Sequence, residues 1–269
     1  MSDNFSQVIH SSIWREEAEP DNPYAAAACY CRGYDVYGDL LGKARYIDYL
    51  YLLFKGERPS PNASAALEML ALALANPGPR DPAVHAAMAA GVGGSTAASA
   101  LMAALAAGAG SYGGGREVFL ALEAWAERGR DLDLWCSRLA HPIPPTRTQV
   151  WPEPEHPPGF DPYGKRCTHP VLQTMAQLTA LLPSGYLSWL ARERPALEAA
   201  AGHPLAMTGV AAAALADLGF SASEGEMLTL LLRLPGAAAH ALEQGKKGFR
   251  QFPFFALDLE NDPGPKEQA

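Results

Sequence analysis

Tyr112 stands directly before three consecutive glycines, Gly113 to Gly115, and Arg116 and Glu117 follow where the next helix opens. A glycine run entering a helix brings backbone N–H groups close to an anion, and the helix start adds its positive end. The stretch reads either as an anion cradle or as a plain helix entry, because the Lys-Ser/Thr pair that completes a phosphate loop is missing. Asp161 and His169 form a second candidate group, titratable residues in a proline-rich stretch that could serve acid/base chemistry if brought within about 3 Å of a substrate. His240, on an Ala-rich helix, reads as a satisfied or surface histidine rather than an acid or base. Cys29, Cys31, Cys136 and Cys167 offer no C-x-x-C pair and no nearby histidine pair, so they read as ordinary thiols and no metal is expected.

The elements that must position these residues are helical. Tyr46, Ile47, Leu50, Leu53 and Phe54 share one helix face, and Lys55-Gly56 supplies the stop. "NASAALEMLALALANPGP" reads as a helix begun near Pro61-Asn62 and broken by Pro77 and Pro79. Further helices are expected over 83–90, 95–107, 116–127, 131–139, 171–181, 184–193, 205–218, 222–233 and 235–244. No period-2 run stands out, so the class is all-α. Residues 141–170 carry nine prolines and cannot hold a helix, and Trp151, Phe160 and Tyr163 favour an ordered, packed loop there. The tail from Glu260 is expected to fray.

Composition narrows the partners. With 48% hydrophobic residues, 269 residues can bury a substantial core as one large domain or two unequal ones. A net charge of −8 with scattered Lys and Arg argues against nucleic acid. Residues 82–115 contain no Asp, Glu, Lys or Arg, but Ala, Gly and Ser dominate them, so close helix packing is expected rather than a membrane span. The N-terminal residues show no basic start, apolar run and cleavage site, so a cytoplasmic chain is expected.

Several stretches resemble the citrate synthase family, in particular its short, citryl-CoA lyase-like members. "CRGYDVYGDLLGKARYIDYLYLLFKGERPS" is similar to that family's R-G-Y, helix, Y-L-L-x-x-G-E-L-P segment. "DLGF" followed by "LRLPGAAAHALEQ" is similar to its D-x-L-G-F … S-R-x-P-G-x-x-A-H-x-x-E-Q. The resemblance implies an all-α dimer, a homodimer or a pair with a paralogue, in which a large domain (1–113 and 220–269) holds a small one (114–219). It implies closure over oxaloacetate and a CoA thioester, with no cofactor beyond that substrate.

The resemblance also marks departures. The family histidine before the glycines, which enolises the thioester, is replaced by Tyr112, and the earlier D-H-G histidine falls on Pro77. Pro158 to Pro162 match P-G-F-G-H, so the third histidine position holds Pro162, and the arginine of D-P-R falls on Val171. The aspartate of N-V-D, the base for the α-proton, falls on Thr208. A base and an enolate donor each contribute roughly 10²–10⁴, so losing both forfeits on the order of 8 kcal/mol. Ordinary citrate synthesis is therefore expected to be absent.

Other matches persist. By the resemblance, Arg233 and Arg250 bind substrate carboxylates, the latter across the dimer, while Gly159, Phe160 and Arg166 contact CoA. Their plain readings stay open: Arg233 as a snorkelling helix-end residue, Arg166 and Arg250 as solvated loop charges, Tyr112 as packing. Two functions follow: an enzyme that makes or breaks a C–C bond in an acyl-CoA with rebuilt acid/base groups, or a non-catalytic subunit that binds CoA or a polycarboxylate or pairs with an active paralogue. Convergence of Tyr112, Asp161, His169, Thr208 and Arg233 on one cavity would favour the first.

Overall fold

In the computed structural model the described residues are 9–141, 156–253, 255, 257 and 260. Trp151 and most of the tail lie outside them. Among the described residues ten α-helices follow an N-terminal three-stranded antiparallel sheet: α1 (Tyr46–Lys55), α2 (Pro61–Leu74), α3 (Pro82–Val92), α4 (Ala97–Gly108), α5 (Gly115–Arg128), α6 (Leu132–Ala140), α7 (His169–Leu181), α8 (Tyr186–Ala201), α9 (Met207–Asp217) and α10 (Ala222–Lys247). The chain is mostly helical, as the all-α class expects; the small sheet, β1 (Trp14–Glu19), β2 (Asn22–Cys31) and β3 (Tyr34–Asp35), is an element that the sequence pattern did not mark. Every residue of β1 is exposed, and β2 runs through four alanines, so neither strand carries an alternating apolar pattern. Cys31 at the end of β2 packs with Leu40 and with Leu52 of α1, which anchors the sheet to the helical body.

Two helices outrun their expected ends, both through a proline. α8 continues past Pro195, and α10 passes through Pro235 as a single 26-residue helix. A proline normally costs a helix its i→i−4 bond. In α10 the loosened ladder is used, because Gly236 N–H donates instead to Ala75 O at the end of α2, 2.7 Å away. A Cβ on Gly236 would lie 2.4 Å from that oxygen, so the absence of a side chain permits the contact.

The main core gathers α1, α2 and α5–α9 with part of α10, and a second cluster joins α3, α4 and α10. α9 is enclosed on all sides, with Thr208 to Leu215 all buried. Its alanines let neighbours approach closely, and a helix apolar all round belongs in a core. α10 packs along α3, α5 and α4 and so spans both clusters. Asp217, at the end of α9, accepts from Tyr186 N–H and Leu187 N–H and so caps α8 from a distance. Among the described residues no helix is long and apolar enough to cross a membrane.

Candidate functional site

A cavity of about 740 Å³ opens where the α2–α3 turn, the glycine turn before α5, the Pro-Gly-Phe loop and the starts of α7 and α9 face α10. Six positions that the resemblance singles out line it together: Pro77, Tyr112, Pro162, Val171, Thr208 and Arg233. Asp161 and Phe160 join them. His169 does not; it is an exposed residue in the first turn of α7. Arg166 and Arg250 are exposed and outside the cavity wall, and His240 hydrogen-bonds Asn76 through Nε2 at 3.1 Å.

The glycine turn is a steric necessity. Gly113 has φ +67, a conformation that disfavours side chains. A Cβ on Gly114 would lie 2.2 Å from Gly110 O. The turn's first N–H does not wait for an external anion, because Gly113 N–H donates to Glu117 Oε2 one turn into α5. Glu117 is 2% exposed, and its other oxygen accepts from Gly159 N–H at 2.9 Å and from the Thr208 hydroxyl at 2.6 Å. One carboxylate thus ties the glycine turn, the Pro-Gly-Phe loop and the start of α9. His156 Nε2 lies 3.7 Å from Glu117 Oε2, and its ring meets Tyr112 at 5.2 Å between centroids. The cavity wall therefore has a buried acid and histidine at its back, where the sequence suggested that imidazole and carboxylate had both been lost.

Gly159 is held from both sides. Its carbonyl accepts from Ala206 N–H at 2.9 Å, and Asp161 N–H donates to Pro204 O at 2.8 Å, so the loop is strapped to the entry of α9. Its φ of +90 and the 3.0 Å separation between a would-be Cβ and Gly209 Cα explain the glycine. Phe160 fills the space beneath with its side chain buried.

Arg233 is also engaged. Its Nη2 pairs with the Asp81 carboxylate, and its Nη1 donates to Gly113 O at 2.6 Å. Asp81 caps α3 at the same time, accepting from Ala83 N–H at 3.0 Å and Val84 N–H at 3.3 Å. Arg80, beside it on the wall, has no ion-pair partner among the described residues and is exposed. Thr229, one turn before Arg233, has a buried hydroxyl without a hydrogen-bond partner. Among the described residues Asp161 accepts only from Tyr163 N–H, at Oδ1 and 2.9 Å.

Glu117, Asp81, His156 and Thr229 were missed by sequence reasoning. Asp81 carried a signal, since an Asp before Pro-Ala-Val at a helix start is an N-cap pattern. Glu117 had only its spacing of four from Gly113. A second cleft of about 350 Å³, between Asp39 and Ser64, is walled by charges that satisfy one another, such as Lys43 with Asp39 at 2.9 Å. Cys29, Cys31, Cys136 and Cys167 are free thiols.

Among solved structures, the chain is similar to citryl-CoA lyase from Hydrogenobacter thermophilus, with a TM-score of 0.67 and 19% identity over 96% of this chain and 98% of that one. It is also similar to ATP citrate lyase from Methanothrix soehngenii in complex with citrate and coenzyme A (TM-score 0.69, 17% identity, 97% of this chain). A third is Methanosaeta concilii ATP citrate lyase, an aspartate-to-alanine mutant in complex with (3S)-citryl-CoA (TM-score 0.69, 18% identity, 94% of this chain). The chain spans 43% and 42% of the length of those two lyases. No protein-family model matches the sequence, and no curated protein matches it. These likenesses establish the fold.

Proposed function

From a chain that carries the citryl-CoA lyase fold, we propose that the cavity receives a CoA thioester and that the protein makes or breaks a carbon–carbon bond in its acyl group with a rebuilt acid/base set. The observation that carries this reading is the meeting of Pro77, Tyr112, Pro162, Val171, Thr208 and Arg233 on one cavity large enough for a ligand. Tyr112 takes the donor role toward the thioester carbonyl, since it lines the cavity and its hydroxyl makes no hydrogen bond among the described residues. Asp161, with Oδ2 uncommitted, is the proton acceptor. Thr208 gives its proton to Glu117 and so presents lone pairs to the ligand.

The test is exchange of the acetyl-CoA methyl protons with deuterated solvent, followed by NMR. The wild type catalyses exchange, and Asp161→Asn lowers its rate by about 10²-fold or more. Absence of exchange in the wild type, with acetyl-CoA still bound, favours the second reading, a non-catalytic binding subunit. That reading has its own support: Pro77 and Pro162 bring no side-chain hydrogen-bonding group, and Glu117 is fully committed. A two-chain assembly belongs to both readings, with Arg250 reaching a neighbouring subunit. The outward face of α4, Ala98, Met102 and Ala106, is uncharged and exposed, as a helix–helix interface requires. Sedimentation equilibrium checks it, with a dimer expected and a monomer contrary.

A further inference from the structure

We propose that Asp81 is a built-in carboxylate that occupies Arg233 and thereby restricts the cavity to uncharged acyl groups. The proposal rests on the acyl-CoA reading above and names the substrate class within it. Arg233 is the buried cation of the cavity, yet one arm is held by Asp81 and the other by Gly113 O. Asp81 cannot swing away cheaply, because two N–H groups at the start of α3 hold its other oxygen in a cap.

The glycine turn repeats the arrangement. Its N–H, the other natural anion site on the wall, is filled by Glu117. The wall therefore carries the carboxylates of Asp81, Glu117 and Asp161 against the cations of Arg80 and Arg233, a formal excess of negative charge. A di- or tricarboxylate entering there meets repulsion and finds its arginine taken. Apart from Arg80, exposed at the wall, and the uncommitted Oδ2 of Asp161, what remains open there is neutral. The Thr229 hydroxyl is buried and unpartnered, the Tyr112 hydroxyl is uncommitted, and Leu74, Val118, Val171 and Ala211 supply apolar surface. An acyl group bearing hydrocarbon and at most a hydroxyl or carbonyl fits this chemistry.

The experiment is calorimetric titration of the intact wild-type protein and of Asp81→Asn with citrate and, separately, with acetyl-CoA. Asparagine keeps the cap of α3 and removes the negative charge that pairs with Arg233. The expected result is no saturable citrate binding by the wild type and at least tenfold tighter citrate binding by the variant. Citrate binding by the wild type equal to that of the variant overturns the proposal, as does a variant no better than the wild type. Should Asp81→Asn fail to fold, Asp81→Ser, which also caps, takes its place in the same comparison. The acetyl-CoA arm is read independently: no binding by either protein refutes the acyl-CoA reading, while the citrate comparison still decides the role of Asp81.

Discussion

Replacing Glu117 by glutamine removes one charge and one acceptor from the most tightly tied group in the site. The wild-type carboxylate serves three donors, Gly113 N–H, Gly159 N–H and the Thr208 hydroxyl, at 2% exposure. A glutamine oxygen can still serve Gly159 and Thr208, but its NH₂ then faces Gly113 N–H, donor against donor. The loss is one charge-assisted bond, about 1.5–3 kcal/mol, and an orphaned N–H worth about 1–3 kcal/mol. Allowing for overlap between the two, Glu117→Gln should destabilise by about 3 kcal/mol, a large share of the roughly 5–15 kcal/mol that holds a typical fold. Urea denaturation followed by circular dichroism reads this as a lower midpoint at unchanged slope. Thr208→Val, which deletes a single donor, should cost about 1 kcal/mol, and the double mutant should cost less than the sum of the two. A Glu117→Gln midpoint within about 0.5 kcal/mol of wild type, the scatter of neutral surface changes, would refute the idea that this carboxylate binds the three segments together.

Glu224 gives a pH prediction. Burial pushes its carboxyl up, but the Ser221 N–H and the Lys55 ammonium, 3.1 Å away, outweigh burial and hold it below its ordinary value. A lowered folded-state pKa means stabilisation that is present above the unfolded value and lost as pH falls through the folded one. Glu224→Gln keeps an acceptor for Ser221 N–H but loses the ion pair with Lys55, so it should cost up to about 1 kcal/mol at neutral pH, and chemical denaturation across pH should show the gap to wild type closing under acid conditions; a constant gap would be contrary. Gly236→Ala should destabilise by more than about 2 kcal/mol in a thermal melt, since a Cβ there meets Ala75 O at 2.4 Å and only backbone movement relieves it.

The helices were legible because their apolar faces repeat at the helical period, as in Ile47, Leu50 and Phe54, and because residues such as Pro61 mark their starts. Pro235 misled, since its effect depends on Ala75, a residue far away in sequence that accepts the freed Gly236 N–H. The N-terminal sheet was hidden because an exposed strand such as β1 has no buried face to write an alternation. In the site, the resemblance singled out Tyr112, Thr208 and Arg233, which line one cavity. What it could not supply is which charges meet. Asp81 finds Arg233 across 152 positions, and Glu117 finds Thr208 across 91. Pairings of that kind follow from how α3, α5, α9 and α10 pack, and no local pattern announces them.

Equilibrium dialysis of CoA against the wild-type protein and against Ala73→Trp tests the occupation of the cavity most directly. Ala73 is half-buried on α2 and lines the space, so an indole there has room to enter it at little expense to the core. Saturable CoA binding by the wild type, lost in a variant that keeps its helical circular dichroism, is the predicted result. No CoA binding by the wild type, or binding that the indole leaves untouched, would contradict it.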